Sequence, residues 1–162
     1  MKKKNLTITF SEYSDGEQLP EGEELLIEKA VDAVATAYAP YSQFRVGAAV
    51  LLENGEVICG SNQENTAYPS GLCAERVAIF TAKAKYPELA ITKIAVTAKT
   101  DNFDIHGPLT PCGACRQVIA ETEKRQNSSI KILMKGEKGN VMTVDGIESL
   151  LPFMFHEEKL KK

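Results

Sequence analysis

Three cysteines set the strongest condition on how this chain can fold. Cys112 and Cys115 stand close together in Pro111-Cys112-Gly113-Ala114-Cys115-Arg116-Gln117, whereas Cys73, in Cys73-Ala74-Glu75-Arg76, lies far earlier in the chain. Tetrahedral zinc accepts thiolates, and a catalytic zinc site keeps one of its four positions for water, so three protein ligands are the number to look for. If these three hold one ion, the fold must bring two distant stretches together. Glu75, two residues past the first cysteine, is too closely tethered to serve as a fourth ligand. Its carboxylate can instead stand beside the fourth position and carry protons there.

Both stretches open helical patterns. Residues 74–86 carry Val77, Ala78, Ile79, Phe80, Ala82 and Ala84, apolar on nearly every side, and stop ahead of Pro87. Residues 112–123 predict a second helix with Ala114, Val118 and Ile119 inward. A helix N-terminus favours thiolate over thiol, which prepares a cysteine there for metal. Cys112-Gly113-Ala114-Cys115 alone would suit a thiol–disulfide oxidoreductase equally well, but a dithiol redox site has no use for Cys73 and Glu75. A structural zinc module recruiting Cys59 as fourth ligand is the other alternative. Three thiolates and a dication sum to one net negative charge, which Arg76 and the helix N-termini can offset if Arg76 donates to a cysteine sulfur rather than to a surface carboxylate. Arg116 is expected to face outward. His106 and His156 stand in no ligand-spaced pair and are read as ordinary polar residues.

The remaining pattern predicts an α/β fold. Apolar residues at helical spacing give a helix over 23–38, ending before Pro40. Residues 44–52 and 56–61 flank Asn54-Gly55 and predict an antiparallel hairpin. Strands follow at 92–98 and 130–134, alternating with the two helices, so parallel neighbours with right-handed crossovers are expected. Residues 141–144 close the sheet and 147–151 form a last helical turn. The expected architecture is a three-layer α/β/α sandwich around a mixed five-stranded sheet, with residues 23–162 as one catalytic domain. Residues 1–22, with the alternation Leu6-Thr7-Ile8-Thr9-Phe10 and two turn signals, read as an N-terminal arm.

With 162 residues there is room for one ordinary core. A net charge of −3 gives no electrostatic footprint for nucleic acid. The runs Lys2-Lys3-Lys4 and Lys159-Leu160-Lys161-Lys162 read as solvated chain ends. No apolar run approaches the roughly 18–20 residues of a membrane span, and the polar start leads into no signal-peptide core, so a cytoplasmic location is expected. Thiols stay reduced there, which favours metal ligation over disulfides.

A three-cysteine zinc site with a non-ligand glutamate and a following P-C-x-x-C is the signature of zinc-dependent base deaminases. Beyond the metal motifs, Tyr41-Ser42-Gln43-Phe44-Arg45-Val46-Gly47-Ala48-Ala49, Gly60-Ser61-Asn62-Gln63-Glu64-Asn65 and Leu150-Leu151-Pro152 occur in the order seen in the small cytidine deaminases. The chain resembles that family from about residue 24 to about residue 160.

The resemblance implies hydrolysis of cytidine and 2′-deoxycytidine to the uridines, with one zinc per chain on Cys73, Cys112 and Cys115, and Glu75 as proton carrier. It implies that Phe44 lies against the pyrimidine, that Asn62 and Glu64 grip the ribose hydroxyls, and that the Ala74 N–H binds the base carbonyl. It also implies a homotetramer in which Phe155 of one subunit reaches a neighbour's site. The apolar closing segment Leu150–Phe155 agrees, since so much terminal apolar surface needs a cover, which a neighbouring subunit or the chain's own core can supply. Blasticidin S deaminases share the cysteine and glutamate pattern; Asn62-Gln63-Glu64-Asn65 and Arg76 favour cytidine. The chain departs from the family in its arm, in a lengthened loop at 100–107, in Thr122 after Glu121, and in Pro69-Ser70-Gly71.

Overall fold

A computed structural model describes residues 1–157 and Leu160, so Glu158, Lys159, Lys161 and Lys162 lie outside the described residues. In chain order the elements are β1 (Ser11–Tyr13), α1 (Glu23–Ala33), β2 (Phe44–Leu52), β3 (Val57–Ser61), α2 (Ala74–Lys85), β4 (Ile91–Thr100), α3 (Gly113–Gln126), β5 (Lys131–Lys135) and β6 (Val141–Asp145). The end of the first predicted helix tightens into a 3₁₀ turn, Val34–Thr36, and another forms at Ile147–Ser149.

The sheet order is β1-β6-β5-β4-β2-β3. There are six strands rather than the expected five. The additional one comes from the arm: β1 pairs antiparallel with β6, Tyr13 opposite Val141. The alternating residues Leu6, Ile8 and Phe10 lie just before it and are exposed. The parallel expectation holds for β4 and β5. It needs correcting for the earlier crossover, because β4 lands beside β2 antiparallel and so is separated from β3.

Period-two alternation divides the core into the expected layers. Ala48, Val50, Ile94, Val96, Ile132 and Met134 face α2 and α3 on one side, whereas Ala49, Ala95 and Leu133 face α1 on the other. Two helix readings need correction. Phe80 of α2 is half exposed, so that helix is not buried all round. Ala114 is exposed near the start of α3, and the inward stripe is Cys115, Ile119 and Thr122, at spacings of four and three.

Besides this apolar packing, two contacts tie the helices to the sheet. Gly60 on β3 lets α2 come very close: a Cβ there would stand 2.5 Å from the Ala78 nitrogen and 2.6 Å from the Ala74 carbonyl oxygen. Any side chain would push away the helix start that carries Cys73 and Glu75. On the other face, Glu23 opens α1 with its side chain only 1% exposed, and its Oε1 accepts from the Nζ of Lys93 and of Lys131 at 2.8 Å each. Those lysines are register partners on β4 and β5.

Candidate zinc centre and substrate cavity

Cys73 is the N-cap of α2 and Cys112 the N-cap of α3, both in extended conformation and without a side-chain cap hydrogen bond. Cys115 follows one turn into α3 and is fully buried. The two helix starts converge. The Cys73 and Cys112 sulfurs lie 3.7 Å apart, those of Cys112 and Cys115 3.5 Å, and all three fall within 4.8 Å of one another. Bonds of about 2.3 Å to a tetrahedral zinc would separate thiolate sulfurs by about 3.8 Å. The donor set therefore fits a zinc ion in number, chemistry and spacing. Cys59 lies elsewhere, on β3, with its thiol against the Lys29 carbonyl of α1 at 3.7 Å, so a four-cysteine site is excluded.

The thiols already share charge unequally. The Cys73 pKa falls to about 5, chiefly because the Cys115 thiol donates to it, with help from Arg76 and Cys112. Cys115 is raised by the same contact, by burial and by the nearby Glu75. A dication among the three would reverse that penalty on Cys115 by favouring deprotonation of every ligand. Arg76 lies where the sequence suggested: its Nη2 donates to the Cys73 sulfur at 3.5 Å and to the Gly71 carbonyl at 3.4 Å.

Glu75 is 3% exposed. Burial raises its pKa first, and the negative charge of Cys73 adds to this, while its own backbone N–H and Arg76 oppose the shift. A buried carboxyl beside the three sulfurs can take a proton and return it.

Glu75, Cys73, Cys112 and Arg76 open into one cavity of about 680 Å³, which Phe44, Asn62 and Glu64 also line. Asn62 accepts from the Val46 N–H at 2.8 Å and donates to the Phe44 carbonyl at 2.9 Å, fixing the start of β2. Glu64 Oε2 accepts from the N–H of Tyr41 at 2.9 Å and of Ser42 at 3.3 Å. Its carboxyl is held below the usual range, mainly by the Ser42 hydroxyl. The N–H of Ala74 belongs to the first turn of α2, where helical N–H groups lack an intrahelical acceptor. Phe155 does not join this group. It lies beyond the outer side of α3, 71% exposed, beside a separate cavity.

Several residues escaped the sequence reading. Tyr41 and Tyr68 stand edge to face at the cavity, ring centroids 6.0 Å apart. Phe103, in the lengthened loop, stacks on Phe44 at 6.3 Å and 27°. That loop is anchored by Asp101 to Arg45 at 2.8 Å and by Asp104 to Lys138 at 3.0 Å. Arg116, expected to face outward, is half-buried and donates to Pro111, Thr110 and Leu150. Its only sequence signal was its place beside a ligand. His106 meets Asp104 at 3.8 Å and is not part of the cavity.

Comparison with known proteins agrees with this geometry. The family model described as the cytidine and deoxycytidylate deaminase zinc-binding region matches residues 20–129. A cytidine deaminase of Halalkalibacterium halodurans is 39% identical over 85% of this chain and 96% of its own length. One from Sporosarcina psychrophila is 42% identical over 85% of this chain and 93% of its own. Among solved structures, the cytidine deaminase of Burkholderia pseudomallei superposes with a TM-score of 0.71 at 38% identity, covering 82% of this chain and 98% of that one. Motif, fold and relatives agree, and the chain belongs to the cytidine and deoxycytidylate deaminase family, with a zinc centre on three cysteines.

Proposed function

We propose that this chain hydrolyses cytidine and 2′-deoxycytidine to uridine and 2′-deoxyuridine, releasing ammonia. The observation that carries this reading is Glu75: a buried carboxyl with a raised pKa, beside three convergent thiols and open to a cavity of nucleoside size. When bound, zinc supplies Lewis acidity that lowers the pKa of water to about 7, so that hydroxide is available at neutral pH. Cys73, Cys112 and Cys115 would hold the ion, and Arg76, which donates to the Cys73 sulfur, would withdraw charge from it. Glu75 takes the water proton and gives it to N3 of the cytosine, which makes C4 electrophilic. The water oxygen then bonds to C4, and the same carboxylate moves the remaining proton from that oxygen to the exocyclic amine as the C4–N bond breaks and ammonia leaves, acting as base and then as acid.

Recognition falls to the rest of the cavity. Phe44 lies against the pyrimidine, Glu64 and Asn62 take the ribose hydroxyls, and the Ala74 N–H binds the base carbonyl. An ionised Glu64 suits a sugar hydroxyl, since charge-assisted O–H hydrogen bonds are the strong ones. Residues 23–162 act as one catalytic domain with 1–22 as an arm, in the cytoplasm. Among the described residues no helix is long and apolar enough to cross a membrane.

The active unit is a homotetramer with sites completed across its interfaces. Support comes from the exposure of Phe153 (90%) and Phe155 (71%) in the single chain. Phe155 then stacks on a base bound in a neighbouring subunit. Sedimentation should give four chains per particle, and Phe155→Ala should raise KM without loss of fold; a fully active monomer overturns this assembly. The assignment of the reaction is tested by ammonia release from cytidine, deoxycytidine, free cytosine, adenosine and blasticidin S, with zinc measured in the same preparation. Turnover confined to the two cytidines, at one zinc per chain, is the expected result. Blasticidin S as the sole substrate would move the chain to the other deaminase activity.

A further inference from the structure

Arg116 and Gln117 are adjacent residues in the first half of α3, and the reaction proposed above uses neither. Their side chains nevertheless connect the stretch ahead of Cys112 with the closing segment that carries Phe155. Arg116 Nε donates to the Pro111 carbonyl at 2.7 Å and Nη2 to the Thr110 hydroxyl at 3.3 Å, which fixes the two residues ahead of Cys112. Thr110 itself lines the substrate cavity. Nη1 of the same guanidinium donates to the Leu150 carbonyl at 2.9 Å, at the start of the closing segment. Gln117 then engages that segment again: its Nε2 donates to the Phe155 carbonyl at 3.0 Å, and its Oε1 accepts from the Phe155 N–H at 3.3 Å. The amide holds both backbone groups of one residue, as a neighbouring strand would.

We infer that Arg116 and Gln117 form a latch that couples the zinc-bearing loop Thr110–Cys112 to the closing segment Leu150–Phe155, making both of them positioning residues. The guanidinium plane explains why the coupling needs arginine. Three acceptors in three directions match a rigid fork of five N–H donors, whereas a lysine ammonium is a single point on a flexible stem. The glutamine contact fixes the backbone of Phe155 and leaves its ring outward and 71% exposed, which is how a ring must be displayed to act outside its own chain. Coupling of this kind is reciprocal: whatever orders the Cys112 loop also orders the closing segment, and by the same factor a docked segment tightens the loop. Metal occupancy and presentation of Phe155 are thereby linked within one subunit.

The linkage stands on the contacts just given, whereas its effect on KM rests on the proposed role of Phe155, so the experiment separates them. Backbone hydrogen exchange is followed in the zinc-loaded protein, in the same protein after chelation, and in zinc-loaded Arg116→Lys and Gln117→Ala. Chelation should speed exchange at 109–117 and at 150–156 together, by about 10-fold or more, leaving β2 and β4 protected. Gln117→Ala should speed exchange at the Phe155 amide and raise KM with kcat held, while zinc is retained. Arg116→Lys should loosen both segments and weaken zinc binding about 10-fold, the lower end for groups that orient metal ligands. Chelation that leaves 150–156 unchanged, or that speeds exchange equally throughout the sheet, overturns the latch. If exchange behaves as stated but Phe155→Ala leaves KM untouched, the latch stands and the role given to Phe155 falls.

Discussion

The cavity has two walls of different construction. The metal wall is made from the first turns of α2 and α3, where Ala74, Glu75 and Cys115 are buried. The facing wall comes from loops around residues 41–44 and 62–72, where Tyr41 is 48% and Tyr68 76% exposed. Groups that move protons and hold charge gain from burial, because a low local dielectric strengthens their interactions and shifts their pKa values. Groups that recognise a sugar, the role proposed for Asn62 and Glu64, must meet a solvated ligand and release its product. Substitutions in the first wall should therefore act on kcat or on the metal, and substitutions in the second on KM.

The largest expected effect is that of Cys112→Ala, which leaves two thiolates and should abolish both zinc retention and activity. Elemental analysis of the purified variant checks this, with Cys59→Ser as a control that keeps its metal. Glu75→Gln comes next. The amide fills the same space without carrying a proton, so kcat should fall at least about 10²-fold while zinc and fold are kept. Turnover near the wild-type rate would remove the distinction between the walls.

On the loop wall, Glu64→Gln should raise KM by about 10-fold or more, in line with hydrogen bonds to a charged group, and change kcat little. The pH dependence has a definite sign. The folded-state pKa of Glu64 is lowered by Ser42 and Tyr41, so its carboxylate, and the turn it holds, persists as pH falls through the usual glutamate value of about 4.3 and is lost only below it. Wild-type KM should thus stay flat from pH 7 to about pH 5. The smallest effect belongs to Phe103→Ala. An aromatic pair contributes about 0.5–1.5 kcal/mol, so loss of its stack on Phe44 should raise KM roughly two- to ten-fold. A change confined to kcat would show that the lengthened loop serves the metal wall instead.

The same contrast separates what could be read in the sequence from what could not. Cys73, Glu75, Cys112 and Cys115 are legible because each is a chemically distinctive residue at a helix start, and helix starts are local. Strand positions were legible through alternation, but alternation carries no partner. Leu6–Phe10 has the better strand pattern, yet Ser11–Tyr13 is the segment opposite β6 and takes the hydrogen bonds. Likewise nothing near β4 announces that it will land beside β2. Arg116 was placed outward because its Leu150 acceptor lies 34 residues away, and Phe103 carried no signal because the ring it stacks on, Phe44, is on β2. These misses are contacts between segments distant in sequence, whereas Phe80 and Ala114 were misplaced on the faces of their own helices.

The carboxylate at the start of α1 has a consequence of another kind, for how sequences of this type can change. Glu23 sits between Lys93 and Lys131, and without it two like charges face each other across paired strands. Replacing Glu23 alone would strand them, and replacing one lysine alone would leave a buried carboxylate with half its compensation. Breaking a buried ion pair from one side is strongly destabilising, whereas exchanging the whole set for well-packed apolar residues is often neutral. The three positions thus form a single heritable unit. Drift can cross it only by concerted change or through a stability reserve gained elsewhere in the chain.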